Sequence, residues 1–294
     1  MNKPNFFIIG APKCGTTAFS EYLRTHPCVF FSNPKELHYF NSDHGIGRLK
    51  TLPEYLSYFA AAEPHHQAIG EGSVLYLFSR VAVARINAFN PQARFIVMLR
   101  NPLELAYAWH SQALSGSAEM IDDFERAWRM QDARRHGRHV PKWCPDRRLL
   151  LYGEIGLLGR QLARLFETVS RNRVHVILFE DFIANTPQVY EDAVRFLDLP
   201  FDGRRDFPRI NENKRLKSAR LASGLRNLGW LKARLGLQWN TGLLGAAGRW
   251  NTAQLPRKPL SEAFAAELRD YFTADIGTLS RLIDRDLSHW SGGA

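Results

Sequence analysis

An apolar run, a tight loop and a helix start stand almost at the beginning of the chain, in Phe6-Phe7-Ile8-Ile9-Gly10-Ala11-Pro12-Lys13-Cys14-Gly15-Thr16-Thr17. A strand that turns through glycines into a helix places backbone N–H groups and hydroxyls at a helix N-terminus, where anions are stabilised. Gly10 and Gly15 have the four-residue separation of a Walker A loop, so the segment predicts a phosphate-binding loop. The lysine is displaced. A Walker loop carries it directly after the second glycine, reaching the β- and γ-phosphates, whereas here Thr16 holds that place and Lys13 lies inside the loop. The loop is expected to hold a shorter anion than a triphosphate.

Further short apolar runs at 5–9, 68–71, 95–99 and 174–179 have strand length and β-branched or aromatic content, with helical stretches between them. This alternation predicts an α/β fold: a P-loop-like central parallel sheet with helices on both faces. The first helix is expected from Thr16 to before Pro27, with Phe19, Tyr22 and Leu23 as its apolar face; a last one follows Pro259 and Ser261, with Phe264, Leu268, Phe272 and Leu279 inward. In an open sheet of this kind ligands bind beyond the carboxyl ends of the strands, where Lys13 and Arg100 would both project. The 294 residues read as a single domain, 1–294, with substrate or lid segments at 115–146 and 213–258. In the first, Phe124, Trp128 and Met130 form an amphipathic piece before an irregular stretch; in the second, Leu221, Leu225, Leu228 and Leu235 share one helical face.

No run reaches the roughly 18 apolar residues of a membrane span, and no basic, apolar leader precedes the first strand, so a cytoplasmic protein is expected. Cys14, Cys28 and Cys144 have neither an even count nor metal-like spacing, and read as free thiols, Cys14 as a small loop filler. Charge is concentrated. Residues 213–261 contain ten Lys or Arg and no Asp or Glu, which equals the net +10 of the whole chain. A localised field of this kind suggests contact with an anionic acceptor or a membrane surface beyond what a donor needs.

The displaced lysine brings a family into view. Pro12-Lys13-Cys14-Gly15-Thr16-Thr17 resembles the 5′-phosphosulfate loop of sulfotransferases that use 3′-phosphoadenosine 5′-phosphosulfate (PAPS). Further resemblances follow in family order: Lys35-Glu36-Leu37-His38-Tyr39-Phe40, Ile69-Gly70-Glu71 with Tyr76, Ile96-Val97-Met98-Leu99-Arg100-Asn101-Pro102, Phe179-Glu180-Asp181-Phe182, Phe196-Leu197-Asp198-Leu199-Pro200, and Asp286-Leu287-Ser288-His289-Trp290. They span nearly the whole chain and are similar above all to the carbohydrate and heparan-type members. The resemblance implies transfer of a sulfuryl group from PAPS to a hydroxyl of a carbohydrate or small metabolite, without a metal.

On that resemblance Lys13, Cys14, Gly15, Thr16 and Thr17 hold the donor's 5′ end, and Lys13 also stabilises charge on the leaving phosphate. Glu36 occupies the place of the glutamate that deprotonates the acceptor, and His38 is the competing base. Lys35 either contacts the sulfate or pairs with Glu36. Arg100 matches the arginine of the 3′-phosphate site. The family's serine eight residues later is here Ala108, and Ser111, one helical turn on, is the candidate substitute. Lys217 lies in a stretch similar to one that closes over the donor. Two other readings stand beside this one: a P-loop small-molecule kinase using ATP, against which the position of Lys13 speaks, and a nucleotide- or nucleic-acid-binding module using the basic window. No recognisable nucleic-acid motif is present, so no nucleic-acid partner is expected.

Overall fold

The structure, a computed structural model, describes residues 2–47, 49–210 and 258–292, with the backbone of 215–216 and 252–253. Five parallel strands form the central sheet in the order β2-β3-β1-β4-β5: β1 (Phe6–Gly10), β2 (Val29–Phe31), β3 (Ala68–Glu71), β4 (Arg94–Leu99) and β5 (Val174–Leu178). Phe6 to Ile9 and Phe95 to Leu99 are fully buried. A strand covered on both faces reads as a continuous apolar run, which is why these two central strands are legible in sequence. β2 was not expected: three residues just after Pro27 are too few to show a period. At the other edge Phe179 leaves the strand and starts a helix.

Helices α1 (Thr16–Arg24), α2 (Leu52–Ser57), α3 (Ala82–Phe89) and α4 (Pro102–Ser115) follow the first four strands. Then come α5 (Phe124–Arg129), α6 (Gln131–Arg135), α7 (Tyr152–Gly156), α8 (Leu158–Thr168), α9 (Phe179–Ala184), α10 (Thr186–Phe196) and α11 (Glu262–Ile283). A right-handed crossover changes face when its direction across the sheet reverses. The β1-to-β2 connection runs one way and the β3-to-β4 and β4-to-β5 connections run the other, so α1 covers one face and α3, α4 and α8 the other. The packing agrees: α1 contacts α10, whereas α8 contacts α3 and α11. In α11, Phe264, Leu268, Phe272, Ile276 and Leu279 are buried, and Ser261 caps its start by accepting from the Phe264 N–H at 3.3 Å.

The reversal of direction occurs between β1 and β4. Their carboxyl ends therefore open a crevice, with the 11–15 loop on one side and Arg100 on the other. A two-residue antiparallel pair, β6 (Arg215–Leu216) with β7 (Thr252–Ala253), lies outside this sheet. Lys217, the 221–235 stripe and most of the basic window lie outside the described residues.

Candidate active site

The crevice is part of an open cleft of about 1110 Å³. Lys13, Gly15, Thr16 and Thr17 line it beside Arg100, Glu36 and His38. Lys13 bends the loop with φ +64°, and its Nζ donates to Gln112 Oε1 at 3.2 Å. Gly15 precedes α1 with φ +82° and provides no side-chain cap, so the first-turn N–H groups of the helix find no acceptor there. Space dictates the glycine as well: a Cβ would come within 2.9 Å of the Phe179 ring and 3.1 Å of Phe182. Gly15→Ala is expected to destabilise the fold by about 1–3 kcal/mol through overpacking and to abolish anion binding at the loop, which chemical denaturation and ligand titration measure separately.

Cys14 faces the other way. It is fully buried, and burial pushes its thiol up to about 12 despite the nearby Arg100 and Lys13 charges. Its side chain fills the loop, as expected, and only its backbone is available to an anion. Arg100 stacks over Phe179 with 4.7 Å to the ring centroid, and donates to Glu104 Oε2 at 2.8 Å and to the Lys13 carbonyl at 3.4 Å.

Ser111, the candidate substitute for the hydroxyl missing at Ala108, lies on α4. Its hydroxyl donates to the Tyr107 carbonyl at 3.2 Å, and neither it nor the fully buried Ala108 lines the cleft. Trp109, Gln112, Ala113 and Gly116 recur at i, i+3, i+4 and i+7 and form the lining stripe, which leaves Ser111 on the opposite side of the helix. Gln112, missed in sequence because a lone glutamine carries no signal, is the polar group α4 presents.

Across the cleft, Glu36 is held from two sides. Lys35 Nζ donates to Glu36 Oε1 at 3.1 Å and to Thr16 Oγ1 at 3.3 Å, tying this loop to the phosphate loop. His38 Nε2 lies 3.1 Å from Glu36 Oε2, and Asn41 Nδ2 donates to His38 Nδ1 at 3.3 Å, so Nε2 carries the proton toward the carboxylate. Burial raises the Glu36 pKa, but the His38 hydrogen bond and the Lys35 charge outweigh it and hold the group below its usual value. With 36% of its side chain exposed, Glu36 keeps lone pairs free for an incoming donor.

A buried carboxylate underlies this loop. Glu71 accepts from Tyr76 OH (2.8 Å), Tyr55 OH (3.1 Å) and Ser73 Oγ (3.2 Å). Tyr76 OH in turn accepts from the Tyr39 and Phe40 N–H groups, and Ser73 Oγ from that of His38. Burial raises Glu71 to about 7 against these hydrogen bonds. An acid whose folded pKa exceeds its unfolded one loses stability as pH rises between the two values, here from 4.5 to about 7. The loss is on the order of 3 kcal/mol. Glu71→Gln keeps acceptors for the hydroxyls and is expected to flatten that decline in urea unfolding at pH 5 to 8.

The distant motifs meet at the turn after β5. Trp290 Nε1 donates to Glu180 Oε2 at 2.9 Å, His289 Nε2 lies 3.1 Å from Glu180 Oε1, Arg285 Nη2 donates to Asp181 Oδ1 at 2.8 Å, and Asn101 Nδ2 donates to the Trp290 carbonyl at 3.3 Å. These residues brace Phe179 under Arg100.

A loop at the topological switch point, with a lysine inside it, an arginine on the adjoining strand end and a carboxylate across the cleft define a P-loop-like α/β protein with an anion-holding site. Over residues 3–220 the chain matches the sulfotransferase domain family, and it belongs to that family. It is 34% identical over 163 residues to human carbohydrate sulfotransferase 15, a stretch that is 41% of this chain and 29% of that protein. It is also 34% identical over 113 residues to the Bos taurus bifunctional heparan sulfate N-deacetylase/N-sulfotransferase 2, covering 36% of this chain and 12% of that one. The matched stretches are thus less than a third of these relatives' lengths. A sulfotransferase structure from Alicyclobacillus acidocaldarius matches with TM-score 0.73 at 25% identity over 99% of each chain.

Proposed function

We propose that the protein transfers a sulfuryl group from PAPS to a hydroxyl of a carbohydrate or small metabolite, with Glu36 as general base. The observation that carries this reading is Glu36 held across one cleft from Lys13 and the α1 N-terminus, inside a sulfotransferase domain. The donor set suits a ligand anionic at two ends: Lys13, the first-turn N–H groups, Thr16 and Thr17 for the 5′ end, and Arg100 for the 3′-phosphate, with Lys217 as a further ligand. When bound, the donor supplies an activated sulfuryl group. Lys13 then neutralises charge that builds on the phosphate left behind, while Glu36 takes the acceptor's proton. His38 acts by orienting Glu36, since one ring nitrogen faces the carboxylate and the other Asn41.

Gly116, Ala118, Trp143 and Pro145 line the cleft, which supports an acceptor-facing role for the 115–146 segment. The basic 213–261 stretch adds an affinity for an anionic acceptor or a membrane surface. The test is a thermal-shift series with 3′,5′-adenosine bisphosphate (PAP), ATP with Mg²⁺, and oligonucleotides. PAP is expected to stabilise most at equal concentration; a larger shift with ATP would favour a kinase.

A further inference from the structure

A second cleft, of about 1220 Å³, shares a wall with the first. Asp43, His44 and Arg148 line one side of that wall, Ile46 and Leu149 line the other, and Pro145 borders both clefts. Six arginines and four carboxylates line the second cleft; three of the carboxylates are engaged, and the fourth, Glu167, acts on Arg164 through its charge. Asp146 is paired with Arg148 and accepts from His44 Nδ1 at 2.9 Å. Glu154 faces Arg135 and, more distantly, Arg160, at 3.5 and 3.9 Å. Asp43 accepts from Ser79 Oγ and the Arg80 N–H.

Among the described residues, three arginines are left with no carboxylate within ion-pair distance: Arg80 and Arg147, both exposed, and Arg164. Arg164 is fixed in place. Its Nη2 donates to the carbonyls of Leu77 (2.6 Å), Phe78 (3.2 Å) and Ser79 (3.3 Å), which leaves Nε and Nη1 without an acceptor among the described residues. Burial, followed by the like charges of Arg80 and Arg160, outweighs the opposing pull of Asp43 and Glu167 and holds its pKa below the usual arginine value, so Arg80 and Arg160 lie close enough to repel it. At the same cleft His44 is 2% exposed and stacked on Phe78, with its Nε2 making no hydrogen bond among the described residues and lying 3.9 Å from Asp43 Oδ2.

Guanidinium groups in excess of the carboxylates around them, one of them partly withdrawn from water, are stabilised by an oxyanion, whose oxygens match the planar donor fork. We propose that this second cleft is an oxyanion-binding site, in which Arg80, Arg147 and Arg164 hold a sulfate- or phosphate-bearing group that does not belong to the donor. The volume admits a group carried on a sugar- or nucleotide-sized body as well as a bare ion. Because the wall is shared, a ligand bound here lies next to the acceptor side of the first cleft.

The test is calorimetric titration of the full chain at about 0.1 M salt, where long-range surface attraction is screened, with the first cleft saturated by PAP. The probes are sodium sulfate, a trisulfated disaccharide and ADP. One saturable site per chain is expected, weakened about 10- to 100-fold in Arg80→Ala/Arg147→Ala, as for loss of charge-assisted hydrogen bonds, and unchanged in Arg195→Ala on α10. Arg164→Lys keeps the charge but loses the fork, and is expected to weaken binding in a protein that remains folded by circular dichroism. Tighter binding of the disaccharide than of the sulfate ion marks a site for a substituent on a larger ligand; tightest binding of ADP marks a phosphate site; equal binding of sulfate ion and disaccharide marks a free-ion site. No saturable binding of any probe, or unchanged affinity in the double variant, overturns the proposal. Failure of PAP itself to bind counts against the proposed donor instead, and the second cleft is then titrated without it.

Discussion

Replacing Glu36 with Gln is expected to lower kcat by roughly two to four orders of magnitude, the span of general base catalysis, with PAP affinity and the unfolding midpoint close to those of the wild type. The amide keeps the size of the side chain and one acceptor oxygen for Lys35, whereas its NH2 group cannot accept from His38 as Oε2 does; what the reaction loses is the group able to take a proton. The pH profile discriminates between the two candidate bases. A base must be deprotonated to act, so activity falls as pH falls through its pKa. With Glu36 held below its usual 4.5 by His38 and Lys35 against the effect of burial, kcat is expected to be flat through neutrality and to fall only in acid. His38→Gln loses part of what depresses Glu36 and moves that limb upward, with a smaller drop in rate. A wild-type limb near 6.5, the ordinary histidine value, together with an active Glu36→Gln variant would make His38 the base.

The parts of this site that were legible in sequence are those whose chemistry is written locally. The 6–17 segment carries strand, loop and helix start in twelve consecutive residues, and the structure places its cleft at the switch point between β1 and β4, as that pattern implies. Lys35, Glu36 and His38 are also neighbours in sequence, and the structure brings all three together with Thr16. What was hidden depends on helical phase and on partners far away. Distance along the chain singles out Ser111 on α4, whereas the stripe that faces the cleft runs through Trp109 and Gln112. Glu71 stood in a motif without a stated role; only packing shows a buried carboxylate orienting hydroxyls that hold the 38–40 backbone. The arginines of the second cleft come from four separate stretches of chain, so no window of sequence displays them as a cluster.

Breaking the buried pair Glu119–Arg134 is expected to cost roughly 3–5 kcal/mol, the usual consequence of leaving one buried charge without its partner. The two side chains are 0% and 1% exposed, with Arg134 Nη1 2.6 Å from Glu119 Oε2 and Nη2 2.8 Å from Oε1. Tyr152 OH donates to Oε2 at 2.6 Å, and the Met120 and Ile121 N–H groups donate to Oε1 at 2.7 and 3.0 Å. The carboxylate thus joins the start of the 115–146 segment to α6 and α7, and the same segment carries Trp143 and Pro145 to the cleft. Arg134→Met leaves the buried Glu119 carboxylate with its neutral donors but without its cation, and Glu119→Gln leaves the guanidinium unmatched. Glu119→Leu/Arg134→Met removes both charges and is expected to recover most of the loss, because the desolvation cost disappears with them. Below their unfolding midpoints the single variants should bind PAP normally but show a raised KM for the acceptor, since the donor loop stands on other elements. The pH dependence has a definite sign. Burial raises the Glu119 pKa, yet hydrogen bonds from Arg134 and Tyr152 bring it below its usual 4.5, so its contribution is present above that value and is lost as pH falls through the folded pKa. Urea unfolding of the two single variants and the double, at pH 7 and pH 4, measures all of this. Changes within about 0.5 kcal/mol in every variant, the range of ordinary surface substitutions, would show that the segment is held by its apolar contacts alone.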